Sequence, residues 1–314
     1  MWRTQSSQRS MFRFKLYPVI RPERSTHSQR PHRVSTQIMI RYNAWSTTAE
    51  FTIGRFDHPQ DHPHRDPKEE VALDYSVNLV EDGRFTLEIE GRQWEVGRGD
   101  LFLTYPGMTY RCRHRELVPR DTCLTVSCVA ADKSESTLAL HRAARNLPVR
   151  RSNSRMDYLF LLFGKVLHEP MAVEETVHEV IVAAACEPDP RQRPYREPQL
   201  RWYAERVDAV RLRLERDYAA EHSLSSMARS VGMSVYHFSR IFRELTGTPP
   251  HSYLRRTRLR NAAHKLREGA SVTEASLASG FQNLSHFTRH FGRYFGATPS
   301  FYAAQFRSIR PSQK

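Results

Sequence analysis

An α+β, multidomain architecture is what this sequence predicts: a barrel or sandwich of short strands, a helical segment, then an all-α domain with two helix-turn-helix units. Three observations lead there. Between residues 36 and 135, short strand-like runs alternate with Asp-Gly, Glu-Gly and Pro-Gly turns. From about Ser134 the apolar residues switch to helical spacing. Residues 222–302 then hold a degenerate internal repeat.

The expected division is a basic segment at 1–35, a β domain at 36–135, a helical dimerisation or packing segment at 136–186, a Pro-rich linker at 187–198 and the all-α domain at 199–314. Residues 1–39 carry eight Lys/Arg against the single acid Glu23, and disorder is expected of such a start. No apolar h-region marks a secretory signal, the Arg- and Ser-rich composition also suits an organellar transit peptide, and Met11 and Met39 are alternative starts.

Within the β domain, Phe51–Phe56 reads as a strand and 57–70 as a His/Pro/Asp-rich loop. Tyr75–Val80, Arg84–Ile89, Gln93–Val96, Asp100–Leu103 and Leu124–Val129 follow as strands, divided by turns at Asp82-Gly83, Glu90-Gly91 and Gly97–Gly99. Met156–His168 and Ala172–Cys186 read as helices. Tyr158, Leu159, Leu162, Val177, Val180 and Ile181 give them more apolar surface than a small barrel needs to cover, which predicts a homodimer. Four prolines in Glu187–Pro198 stop the second helix, and Leu200, Tyr203, Val207, Val210 and Leu214 open another.

Charge separates the regions. The formal net charge is +14, yet residues 40–206 hold 23 Lys/Arg against 26 acids, while 207–314 hold 17 against 7. The C-terminal domain therefore has the electrostatic footprint of a polyanion binder. No apolar run approaches the ~18 residues of a spanning helix, so no membrane is expected. Cys112, Cys123, Cys128 and Cys186 form no CxxC pair, and are expected to be small apolar side chains in a reducing compartment.

The repeat is the most informative feature. Gly232-Met233-Ser234 lies beside Gly280-Phe281-Gln282, the second copy has one more turn residue, and the offset thereafter is a constant 49. Phe238, Arg240, Phe242, Gly247, Pro250 and Tyr253 fall on Phe287, Arg289, Phe291, Gly296, Pro299 and Tyr302. Each copy reads short helix, turn, longer helix, Gly, Pro, with units at about 224–246 and 272–295. Ser234 and Asn283 stand where the second helices need N-caps.

Each second helix has two faces. Phe238, Ile241, Phe242 and Leu245 form a core stripe in the first copy, as do Phe287, Phe291 and Phe295 in the second. The opposite face carries Tyr236, Ser239, Arg240 and Arg243, and in the second copy Ser285, His286, Thr288, Arg289 and Gly292. Arg can bond a guanine twice, and small hydroxyls let a helix approach base edges closely, so these faces suit the major groove. His251–Glu268 reads as a single helix between the units, a strut of ~27 Å at 1.5 Å per residue. Arg255, at its start, is expected to contact phosphate.

Residues 207–307 resemble the DNA-binding domain of the AraC/XylS family of bacterial regulators, in Ser225–Thr246, Gly280–Phe301 and the strut between them. The resemblance implies seven helices and base-reading positions at Tyr236, Ser239 and Arg240, then Ser285, His286 and Arg289. It also implies double-stranded promoter or operator DNA as partner, transcription control (most often activation), RNA polymerase contact and a bacterial cytoplasmic, nucleoid-associated location. The family usually carries an N-terminal cupin-like β-barrel that senses a small-molecule effector, and Gly99–Gly107 resembles the second half of such a barrel. Ala275 and Ser276 stand where the family pattern has a larger aliphatic and then Ala, which predicts looser packing of the second unit.

The competing class is a metal-dependent cupin enzyme or metal-sensing regulator using His62, His64 and Glu69, a ligand set able to hold a transition metal. Against it, both histidines lie among prolines and acids, and Tyr110 replaces the later His of such sites. No catalytic residue and no cofactor are expected.

Overall fold

The computed structural model describes residues 41–47, 50–57, 69–114, 121–128, 134–166, 170–187 and 194–307. The 1–35 segment and the pair His62 and His64 lie outside them. The chain divides into two compact units, residues 30–204 and a unit that includes 205–314.

The first unit contains β1 (Arg41–Thr47), β2 (Phe51–Asp57), β3 (Glu70–Val71), β4 (Tyr75–Asp82), β5 (Arg84–Ile89), β6 (Arg92–Gly97), β7 (Asp100–Thr104), β8 (Thr109–Arg113), β9 (Thr122–Cys128) and β10 (Val149–Arg151). Two antiparallel sheets result, ordered β1-β2-β9-β4-β7-β10 and β3-β8-β5-β6. Turn chemistry sets the corners: Asp82 Oδ1 accepts from the Gly83 N–H at 2.9 Å, and Asp100 Oδ2 from the Gly97 N–H at 2.9 Å. Alternation turns Phe85, Leu87 and Ile89 inward, where they meet Val80, Val96 and Met108. On the other face of the sheet that holds Val80, Ile53, Val126 and Val77 form one row across β2, β9 and β4.

Strand β4 is buried on both faces from Tyr75 to Asn78. The polar residues on the same face as Val80 bond to one another: Ser76 Oγ lies 2.7 Å from Thr104 Oγ1, Asn78 Nδ2 donates to Ser76 Oγ at 2.8 Å, and Thr125 Oγ1 donates to Asn78 Oδ1 at 2.8 Å. These bonds repay the desolvation of groups that would otherwise be buried unpaired. Helices α1 (Glu135–Asn146), α2 (Ser154–Val166) and α3 (Pro170–Ala185) follow, and α1 meets the opposite face of β4, where the His141 and Tyr75 ring centroids are 6.2 Å apart. Both α1 and α3 touch β4, and α3 packs against α1 and α2. His141 of α1 stacks on Tyr105 with ring centroids 4.4 Å apart.

This corrects the apolar-surplus argument for a dimer. Tyr158, Leu159, Leu162, Val177, Val180 and Ile181 are all buried within the protomer, and offer no free apolar face. Cys123 and Cys128 are buried, Cys112 is half-buried and Cys186 exposed, and no two of them form a disulfide. Glu69 is exposed, and the Tyr110 hydroxyl donates to Glu70 at 3.4 Å. Among the described residues no group of three or more His, Cys, Asp or Glu is placed to hold a metal ion. Where β6 nears the end of α1, a cleft is lined by Ile89, Arg92, Trp94, Tyr105, Met108 and Arg145.

Seven helices run from Glu197 to Arg307 among the described residues: α4 (Glu197–Arg216), α5 (Leu224–Ser230), α6 (Val235–Thr246), α7 (Pro250–Glu268), α8 (Val272–Ala278), α9 (Leu284–Phe295) and α10 (Pro299–Arg307). Pro198 stands in the first turn of α4, where its missing N–H costs nothing, so that helix starts before its apolar pattern does. No helix of the described residues is long and apolar enough to cross a membrane.

Candidate nucleic-acid interface

The repeat becomes two helix pairs of equal length: α5 and α8 have seven residues each, α6 and α9 twelve. The longer helices start on the predicted caps. Ser234 Oγ accepts from the His237 N–H at 3.3 Å and Asn283 Oδ1 from the His286 N–H at 2.9 Å, each satisfying one of the orphan donors of a first turn. Both helices end at glycines in the left-handed region, Gly247 and Gly296.

The core stripes are buried as the spacing requires. Phe238, Ile241, Phe242 and Leu245 have no exposed surface, and neither do Phe287 and Phe291. Phe295 is half-buried beside them. Burying one aromatic ring is worth several kcal/mol, which fixes the rotation of each helix and hence which residues face out.

On α6, Tyr236 is 80% exposed, Arg240 and Arg243 are exposed, and Ser239 is half-buried. Arg240 Nη1 lies 3.5 Å from Glu244 Oε2, one turn on. A surface pair of this kind is worth at most ~1 kcal/mol, so it parks the guanidinium without locking it. Glu244 escaped the sequence argument, although its i,i+4 spacing from Arg240 is legible there.

On α9, Ser285, His286 and Arg289 are exposed, while Thr288 and Gly292 are half-buried. His290 is the residue that sequence reasoning missed. Its Nε2 lies 2.9 Å from that of His286, with ring centroids 4.2 Å apart. Burial, then His286, Arg255, Arg289 and Arg293, hold its imidazole below the ordinary range. The strut and the second reading helix thus bring cationic groups together around one spot.

The strut's arginines divide by role. Arg255 is half-buried near His290, whereas Arg256 lies over the Tyr253 ring at 5.3 Å from its centroid. Arg258 turns inward to bond backbone carbonyls. Of the first three cations on the strut, Arg255 is the one placed to meet a ligand on the α9 side.

Comparison with known proteins gives consistent matches. Residues 227–305 match a helix-turn-helix domain family, and residues 53–144 the AraC-like ligand binding domain family. The chain is 30% identical over 135 residues to the HTH-type transcriptional regulator ExsA of Pseudomonas aeruginosa, covering 42% of this chain and 48% of that protein. It is 34% identical over 97 residues to the transposon Tn10 TetD protein of Escherichia coli, covering 31% of this chain and 70% of TetD. The HTH-type transcriptional activator RhaS of Escherichia coli is also 34% identical over 97 residues, covering 31% of this chain and 35% of RhaS. The matched stretches thus span about half of ExsA and a third of RhaS.

Proposed function

The chain belongs to the AraC family of helix-turn-helix regulators, and from that membership we propose that it binds promoter or operator DNA sequence-specifically and controls transcription, as an activator, in answer to a small-molecule effector. The observation that carries this reading is the pair of capped, twelve-residue helices whose outward faces are polar and hold Arg at matched positions. Tyr236, Ser239, Arg240 and Arg243 read one block of bases, and Ser285, His286, Thr288 and Arg289 a second. Arg255 holds phosphate. The two blocks differ in sequence because the faces differ, and they lie about one turn apart, ~10–10.5 base pairs.

Residues 199–314 form the DNA-binding part in this reading, 36–135 the sensing part and 187–198 the linker between them. The effector lies in the cleft that includes Arg92, Trp94, Tyr105 and Arg145, where aromatic walls and cationic ends suit a small anionic molecule. Homodimerisation and contact with RNA polymerase in the bacterial cytoplasm belong to the same reading. Sedimentation at micromolar concentration tests the dimer: a monomer with and without DNA removes it.

Selection of bound sequences from a random duplex pool, followed by footprinting, tests the DNA reading. Two unlike short blocks with a tolerant centre are the expected result. Recovery of a palindrome within one monomer footprint, or no enriched sequence at all, would defeat it.

A further inference from the structure

The loop Asp217–His222 leads from α4 into the first helix-turn-helix unit, and two other parts of the same compact unit grip it. From the strut, Arg258 donates through Nε to the Tyr218 carbonyl and through Nη2 to the Ala220 carbonyl, both at 2.8 Å. From the turn of the second unit, Gly280 approaches so closely that a Cβ there would lie 2.6 Å from the Ala219 carbonyl oxygen and 2.9 Å from its Cα. Beside it Gln282 Nε2 donates to Glu221 Oε1 at 3.1 Å. The loop is also closed on itself, with His222 Nε2 2.9 Å from the Asp217 carbonyl.

The matched position in the first unit behaves differently. Gly232 has the same left-handed backbone, φ +67° against +79° for Gly280, yet a Cβ there would meet nothing within 4 Å. Each glycine serves its own turn, but only Gly280 also makes room for another segment.

A strut fixes the distance between two ends, not the rotation of what hangs from them. Helix α7 ends at Gly269, and Ala270 and Ser271 then lead into α8. Three residues with a left-handed glycine are a natural pivot. The contacts of Gly280 and Gln282 with the 217–222 loop lie beyond that pivot, and the Arg258 contacts lie before it. Together they close a ring: first unit, strut, second unit and back to the loop that enters the first unit.

We propose that this loop is a latch that locks the second helix-turn-helix unit against the first, so that Arg258 and Gly280 act as positioning residues that set which spacing of two DNA blocks the chain accepts. The inference rests on the reading that both units contact one duplex. None of its residues reads a base. Their effect is to keep α9 from swinging, so that a duplex with displaced blocks cannot be followed.

The test uses the full chain and duplexes carrying both selected blocks at native spacing, at spacings changed by one, two and five base pairs, and the first block alone. The unmodified chain should prefer native spacing over the five-base-pair insertion by at least about tenfold, since a lost unit forfeits several base contacts. Gly280→Ala and Arg258→Met should weaken native-spacing binding and keep single-block binding, so that this preference falls toward unity. Gly232→Ala, with the same backbone strain and no clash, should keep the preference. Equal losses on all duplexes, or an unchanged preference in both Gly280→Ala and Arg258→Met, overturn the latch. Should Gly280→Ala fail to fold by circular dichroism, Arg258→Met and the exposed Gln282→Ala decide. A wild-type chain indifferent to spacing would instead remove the two-unit reading, and the latch with it.

Discussion

The two helix-turn-helix units share a frame and differ in how they satisfy it. Phe238 and Phe242 stack at 5.5 Å, and Phe242 meets Tyr253 edge-on at 5.6 Å; Phe287 and Phe291 stack at 5.4 Å, and Phe291 meets Tyr302 edge-on at 5.4 Å. Beyond the rings the likeness ends. The Tyr253 hydroxyl donates to Glu215 and accepts from Arg211 Nε at 3.1 Å, both from α4. Among the described residues the buried Tyr302 hydroxyl meets no hydrogen-bond partner, and neither do the buried hydroxyls of Ser276 and Ser279. In the first unit the buried Thr246 hydroxyl bonds the Phe242 and Thr248 carbonyls at 2.7 and 2.9 Å. An unpaired buried hydroxyl costs about 1–3 kcal/mol, whatever the rings around it do. The lesson is that a repeat can copy its apolar frame while its polar groups depend on neighbours outside the repeat. Helix α4 serves Tyr253 and does not reach Tyr302.

The largest effect should come from breaking the shared frame. Phe242→Ala and Phe291→Ala each remove a fully buried ring, at a cost of about 3–5 kcal/mol. Because the second unit holds three buried hydroxyls with no partner among the described residues against one, Thr248, beside the first, Phe291→Ala should melt the second unit alone. Amide exchange should then accelerate across 272–303 while 224–246 stays protected. Uniform exchange across both units after Phe291→Ala would show that they unfold as one and that the asymmetry is immaterial.

Next come the reading faces, where the frame predicts equality. Arg240→Ala and Arg289→Ala should each lower specific affinity by about 1–3 kcal/mol and relax preference at one base pair, the first within one block and the second within the other. Arg255→Ala should weaken all sequences alike and flatten the salt dependence. Binding titrations on specific and random duplexes at several salt concentrations separate the cases. Equal losses on both duplexes for Arg240→Ala would reassign it to phosphate.

Sharpening the asymmetry takes smaller changes. Tyr253→Phe should lose about 0.5–1.5 kcal/mol, moderated because Arg211 Nη2 already lies 3.7 Å from Glu215 Oε1 and keeps a partner. Tyr302→Phe and Ser276→Ala remove hydroxyls that bond nothing among the described residues, and should be neutral or stabilising. Denaturant midpoints measure all three; a destabilised Tyr302→Phe would mean that its hydroxyl has a partner after all.

Sequence legibility followed the same division between frame and neighbours. Strands whose alternate residues face the core, such as Arg84–Ile89, declare themselves. Strand β8 does not: its inward side is only the half-buried Tyr110 and Cys112, set among arginines, too short an apolar face to read. The two-residue β3 and three-residue β10 are too short to carry a period. Helix α1 falls inside the 136–186 segment read as helical, but its bounds are not legible, because its buried side is only Thr137, Leu140 and Ala144. With its packing role unread, the apolar residues of α2 and α3 look surplus and suggest a dimer face. The repeat put the outward residues of α6 and α9 on the right faces, since large aromatics fix helix rotation. The latch was invisible, because it joins residues as far apart as Glu221 and Gln282 through a carbonyl-lined loop with no side-chain pattern of its own.

The smallest expected effect is one of pH, and it belongs to the second unit alone. By the 49-residue offset, His286 and His290 correspond to His237 and Ile241, and Ile241 is wholly buried in the first core. At 2.9 Å between Nε2 atoms, one ring donates and the other accepts, so the two Nε2 atoms share a single proton. Burial and the surrounding His286, Arg255, Arg289 and Arg293 keep His290 below the ordinary imidazole pKa of about 6.5. In the free protein its proton therefore arrives only in acid. Phosphates brought to this face add negative charge, which raises the pKa again, so binding takes up a proton. Affinity for two-block DNA should strengthen as pH falls from the DNA-bound pKa toward the lowered free-state pKa, and level off below it. Folding stability runs the other way: the unfolded chain binds this proton first, so acidification from the unfolded imidazole value down to that same free-state pKa costs stability. The His290→Gln variant should lose both slopes, and binding to DNA carrying only the first block should show no pH slope. A first-block duplex with the full pH slope would place the titrating group outside the second unit, and the imidazole pair would then be a packing contact with no part in DNA affinity.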